Sequence, residues 1–150
     1  MPPNEGLGIG VGHGQERGMP TWVACVAHVA VDPASGNVTL KKLWQTIDVG
    51  TVVNPDGAMA QAEGAALWGV SLALHEGASF ADGEVAEQNL DQYTPLRMSD
   101  VPELDIAFVD SQEFPSGLGE PPLIPVAPAI GNAIFAASGR RVRELPIRLS

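Results

Sequence analysis

At 150 residues the chain is the size of one domain and can bury a core without disulfides or a structural metal. Its formal net charge is −10, and four of its eight Lys and Arg residues, Arg140, Arg141, Arg143 and Arg148, crowd the C-terminal end. That pattern argues against nucleic acid, whose phosphates need a clustered basic surface, while 45% hydrophobic against 17% charged residues implies a surface partly covered by another polypeptide.

Residues 6–14 place glycine at alternate positions, Gly6, Gly8, Gly10, Gly12 and Gly14, and are read as a glycine-rich leader loop within residues 1–20, ahead of a single domain portion over 21–150. No strict Gly-x-Gly-x-x-Gly and no Gly-Lys-Ser/Thr is present, so neither nucleotide fingerprint is met. The first residues lack the basic and apolar regions of a signal peptide, and no apolar run is read as a membrane span. A soluble chain is expected, in the cytoplasm or, with a partner chain, in the periplasm.

"TWVACVAHVAV", residues 21–31, is rich in valine and apolar at nearly every position, which predicts a strand covered on both faces. "DPASGN" turns the chain and "VTLKKLWQTID", residues 38–48, returns as the second strand of a hairpin. Cys25 is the only cysteine, so no intrachain disulfide or redox pair exists. His28, alone in an apolar strand, reads as a core histidine bonded through one nitrogen rather than a metal ligand.

"VNPDGAMAQAEGAALWGVSLALHEG" is a helix with Asn54 as N-cap, Pro55 at the first position and Gly77 after the last turn. It is apolar nearly all round, which predicts burial. Gln61 shares a face with Gly57, Gly64 and Trp68. The spacing alone favours close helix packing over a face on which another group approaches and Gln61 presents its amide.

"ASFADGEVAEQN" predicts a short hairpin turning at Asp82-Gly83, and "ELDIAFVD", residues 103–110, a strand with one covered face. "PSGLGEPPLIP", residues 115–125, then sets one carboxylate, Glu120, between glycines and adjacent prolines. Glycine admits a close approach of backbone to a bound group, and proline limits how far the acid can wander, so Glu120 is a candidate for chemistry, against the plain reading of a solvated loop acid. "VAPAIGNAIFAASG" closes the series as a second apolar helix ended by Gly139. The expected fold is α+β, a mixed and largely antiparallel sheet packed against two apolar helices.

Three stretches in this order, "VNPDGAMAQAEGAALWGVSLAL", "NLDQYTPLRMSDVPELDIAFV" and "GLGEPPLIPVAPAIGNAIFAASGRRVRELPI", resemble the C-terminal part of the molybdopterin-binding subunit of the xanthine oxidase family, with the greatest likeness to isoquinoline 1-oxidoreductase β subunits and aldehyde dehydrogenase large subunits. The likeness runs from about Gly8 to Ile147. It implies a molybdenum enzyme that hydroxylates an aldehyde or N-heteroaromatic carbon with water's oxygen, passing electrons to an iron–sulfur subunit. It places the catalytic base on Glu120 and the cofactor contacts on Gln61 and Gly64, from Gln-x-Glu-Gly, and on Gly117, Leu118 and Gly119; no residue is expected to ligate the metal.

Two departures accompany it. Molybdenum subunits of this family are much longer, so the isolated chain is expected to be an inactive fragment or split-subunit piece that lacks the molybdopterin cofactor, needs the remainder of the subunit, and self-associates through uncovered apolar surface. The Glu120-Pro121-Pro122-Leu123 form is similar to the xanthine and aldehyde oxidase branch, where many relatives have Gly-Glu-Pro-Gly, which leaves aldehyde and N-heterocycle both open. A non-catalytic assembly domain that keeps the fold is the rival reading.

Overall fold

The computed structural model describes residues 1–16 and 18–149; Arg17, inside the expected leader, and Ser150 lie outside the described residues. Strands β1 (Glu5–Glu16), β2 (Met19–Val31) and β3 (Val38–Asp48) precede helix α1 (Pro55–Leu74). The short pair β4 (Phe80–Ala81) and β5 (Glu84–Val85), strand β6 (Glu103–Phe108) and helix α2 (Val126–Ser138) follow. The main sheet has the order β1-β2-β3-β6, with β1 and β3 antiparallel to β2 and β6 parallel to β3, so the sheet is mixed as expected. Both helices pack on one face of it.

The expected leader loop is strand β1, paired with β2 from Glu5↔Ala30 to Glu16↔Met19. The reason lies in the glycines. They all point to the inner face, where a side chain would strike the backbone that follows Glu120: a β-carbon on Gly14 would meet Pro121 at 2.8 Å, one on Gly10 the Pro125 carbonyl oxygen at 2.4 Å, and one on Gly8 the Ala133 nitrogen at 2.1 Å. The glycine stripe is a groove in which residues 121–137 lie, running opposite to β1.

The hairpin of β2 and β3 and the Asp82-Gly83 turn form as predicted, the turn with φ of 53° and 85° at its two central residues. Strand β2 is covered on one face only. Val23, Cys25, Ala27 and Val29 are buried beneath the helices, whereas Ala24, Val26 and His28 are half-buried on the outer face and Trp22 is 50% exposed. His28 therefore lies on the outer face rather than in the core; its Nε2 is 2.7 Å from Glu5 Oε2, one nitrogen bonded as expected.

Helix α1 is capped by the Asn54 side chain accepting from the Gly57 N–H at 3.2 Å. Its expected full burial does not occur: Ala62, Ala65, Ala66, Gly69, Val70 and Ala73 face the core, while Gln61, Gly64 and Trp68 face outward because the sheet reaches only one side of the helix. Helix α2 buries Val126, Ala129, Ile130, Ala133 and Ile134 against β1 and β2, each isoleucine contributing about 1.5–3 kcal/mol relative to exposure. It ends at Gly139 in the left-handed region, φ 73°. By length and composition the stretch Pro121–Ser138 could cross a membrane, contrary to the expectation that no run was long enough, but 44% of it is buried inside the fold, as in a core helix.

Candidate functional site

Glu120 lies where the strand layer, the start of α1 and the start of α2 meet. The segment leading to it, residues 109–116, runs beside residues 47–51 past the end of β6 and then doubles back: Val109 N–H donates to Ile47 O at 2.8 Å, Thr51 N–H to Glu113 O at 2.9 Å, and Ser116 N–H to Val49 O at 3.0 Å. Leu118 then packs its half-buried side chain against a small apolar cluster of Val23, Ile47, Val49 and Ala62. Beyond Glu120 the chain enters a tight 3-10 turn, Pro121–Leu123, in which Leu123 N–H donates to Glu120 O at 3.0 Å and both prolines are buried.

The structure brings Gln61 to the glycine before the acid. A β-carbon on Gly119 would lie 3.1 Å from Gln61 Oε1, so the amide on the second turn of α1 meets the loop one residue before Glu120. Both residues are exposed. Gly64 lies on the same outward face of α1, with nothing within 4 Å of where its side chain would begin. Gly117 is half-buried and its carbonyl accepts the Thr21 hydroxyl at 2.5 Å.

Two residues of this neighbourhood were not read from the sequence. Thr21 is 1% exposed and also accepts a hydrogen bond from Ser116 Oγ at 2.7 Å. Gln45, 2% exposed, donates from Nε2 to Pro122 O at 2.7 Å. Neither strand sequence marks them, since each also holds other polar residues, and a buried polar side chain is recognised by the partner it meets. The described hollows of the surface lie elsewhere, around Asn132, Arg141 and Ile147 and along the 32–36 turn, so Glu120 stands on open surface.

A family model for the molybdopterin cofactor-binding domain matches residues 9–102. Over 148 residues the chain is 54% identical to a membrane-bound aldehyde dehydrogenase of Gluconacetobacter polyoxogenes, named as a pyrroloquinoline-quinone enzyme; the match covers 99% of this chain and 19% of that protein. It is 35% identical over 126 residues to the isoquinoline 1-oxidoreductase β subunit of Brevundimonas diminuta, covering 84% of this chain and 16% of the relative. The crystallised aldehyde oxidoreductase of Desulfovibrio gigas superposes with a TM-score of 0.74 at 30% identity, over 85% of this chain and 14% of the other. The chain thus spans under a fifth of the length of these relatives. With a matching family model over most of β1 to β5 and relatives aligned through Glu120 and α2, this chain belongs to the molybdopterin cofactor-binding domain of the xanthine oxidase family's molybdenum-binding subunits.

Proposed function

We propose that this chain carries the general base of a molybdenum hydroxylase that oxidises an aldehyde or an N-heteroaromatic substrate, with Glu120 as that base. The observation that supports the reading is the meeting of Gln61 with Gly119, which brings an exposed amide to the residue just before the exposed acid.

The residues present suit a molybdopterin. Among the described residues no group of three or more His, Cys, Asp or Glu side chains could hold a metal ion. The chain offers the molybdopterin the Gln61 amide and side-chain-free backbone at Gly64 and Gly119. When bound, the cofactor supplies the two-electron acceptor and the site at which water is activated. Glu120 takes the proton as the water oxygen attacks the substrate carbon, a role that needs its carboxylate within hydrogen-bond reach of that oxygen. Gln61 orients the group beside it, and the backbone of Gly117, Leu118 and Gly119 sets the depth to which that group can approach.

The remainder of the molybdenum subunit supplies the other wall of the site, and an iron–sulfur subunit takes the electrons. On its own the chain binds no molybdenum, and it self-associates through Leu7, Ile9, Val11 and Trp22, which lie exposed on the outer sheet face. Stoichiometric molybdenum in the purified chain, or a clean monomer by light scattering, would contradict these two statements respectively.

The central test is reconstitution with the missing polypeptide and cofactor. Glu120→Gln is expected to lower turnover by about 10²–10⁴-fold; unchanged turnover would favour a non-catalytic assembly domain. Because one relative is named for a quinone, molybdenum and quinone content of the complete enzyme are measured together. Quinone without molybdenum overturns the cofactor assignment.

A further inference from the structure

We propose that Thr21 and Gln45 are positioning residues that hold the Glu120 loop from beneath, one on each side of the acid; the proposal rests on Glu120 acting as the base. Both are buried on the inner face of the sheet, Thr21 at 1% and Gln45 at 2% exposure, among side chains that are otherwise apolar or absent. Each reaches out of the sheet to a backbone carbonyl of the loop: Thr21 Oγ1 donates to Gly117 O at 2.5 Å and Gln45 Nε2 donates to Pro122 O at 2.7 Å.

The composition of the loop explains why carbonyls are the handles. Pro121 and Pro122 have no N–H, so the chain after Glu120 cannot be tied to the sheet by donating. A 3-10 turn would pair Pro122 O with the N–H of the residue three positions on, and that residue is Pro125, which has none. Gln45 supplies the missing donor. On the other flank Thr21 spends its one proton on Gly117 O and accepts the Ser116 proton, so three polar groups close on each other. Gln45 Oε1 has no hydrogen-bond partner among the described residues, which marks the amide as oriented by its donor side. With Pro121 seated on Gly14 and Leu118 in its apolar cluster, these two bonds leave Glu120 as the free residue of a held segment.

The test has two parts. In the full chain, amide hydrogen exchange at Ser116, whose N–H donates to Val49 O at 3.0 Å, is expected to quicken by about tenfold in Thr21→Val, an isosteric change, with the centres of β2 and α2 unaltered, and to return to the wild-type rate in Thr21→Ser. Gln45→Met is expected to do the same at Leu123 and Ile124. In the reconstituted enzyme, Thr21→Val is expected to lower kcat by about 10- to 100-fold with KM held, and Thr21→Ser to restore it. Wild-type exchange at the loop in both Thr21→Val and Gln45→Met overturns the proposal, as does a loss of kcat that Thr21→Ser fails to rescue. Glu120→Gln is run beside them. If it keeps full turnover the base reading fails; if it loses turnover while Thr21→Val keeps both protection and turnover, the positioning proposal fails alone.

Discussion

Gln61 Oε1 occupies the space into which a side chain on Gly119 would grow, 3.1 Å from the position of its β-carbon. Alanine at residue 119 therefore has to push the amide aside by a few tenths of an ångström. The amide is the far end of an exposed, flexible side chain, and it can yield. Gly119→Ala is expected to leave the stability of the chain within about 0.5 kcal/mol, while turnover of the reconstituted enzyme falls because Gln61 no longer stands where it did. A thermal melt and a turnover assay on the same variant check both halves. A large loss of stability would show that the loop, not the amide, has to move.

The glycines of β1 and α1 make opposite predictions. A methyl at Gly8 would lie 2.1 Å from the Ala133 nitrogen and 2.4 Å from the Ala129 oxygen, both backbone atoms that cannot rotate away. Gly8→Ala is expected to cost about 3 kcal/mol as helix α2 is lifted from the strand. Gly64 has open space before it, so Gly64→Ala is expected to stabilise the chain by up to about 1 kcal/mol through helix propensity. Chemical denaturation of the two variants decides it; equal effects would contradict the helix-on-glycine packing.

That stripe also shows what the sequence concealed. Glycine at alternate positions carries the two-residue period of a strand, with Leu7, Ile9 and Val11 as the outward set. Glycine's low strand propensity outweighed that period in the sequence reading, because the partner it makes room for lies over a hundred residues further on. The helices were legible because their signals are local: Asn54-Pro55 opens α1 and Gly139 closes α2. The motifs around Glu120 and Gln61 singled these two out, and the structure brings Gln61 against Gly119. Thr21 and Gln45 were not singled out, since a threonine or glutamine in a strand announces itself only when the carbonyl it meets is known.

Cys25 faces Gln45 across the β2–β3 pair and is fully buried. Burial pushes its thiol up to about 11, with the Gln45 side chain acting in the opposite sense. A protonated thiol is a poor nucleophile, so Cys25 in the folded chain is expected to resist an aromatic disulfide reagent at neutral pH and to react fully once denatured. The sign for stability follows from the raised value: the folded state holds the proton more tightly, so this contribution is intact below the ordinary value of 9.0 and is lost as pH rises through about 11. Rapid modification of the native chain would place Cys25 nearer the surface.

At the far end of β1, Glu5 bonds Lys41 of β3 and His28 of β2, tying the edge strand to its two neighbours on the outer face. The Lys41 hydrogen bond holds the Glu5 carboxyl below its ordinary value, His28 adding to it and desolvation opposing. A depressed carboxyl gives stability that is present above its unfolded value and disappears as pH falls through the folded one. Thermal midpoints of wild type and Glu5→Gln are therefore expected to differ near neutral pH, wild type being the higher, and to converge on acidification through the carboxylate range. Added salt should narrow the neutral-pH gap, because Lys41 is 42% exposed on its side of the pair. Parallel curves across the whole pH series would mean that Glu5 acts through packing alone, and β1 would then owe its place in the sheet to the glycine groove and its ladder with β2.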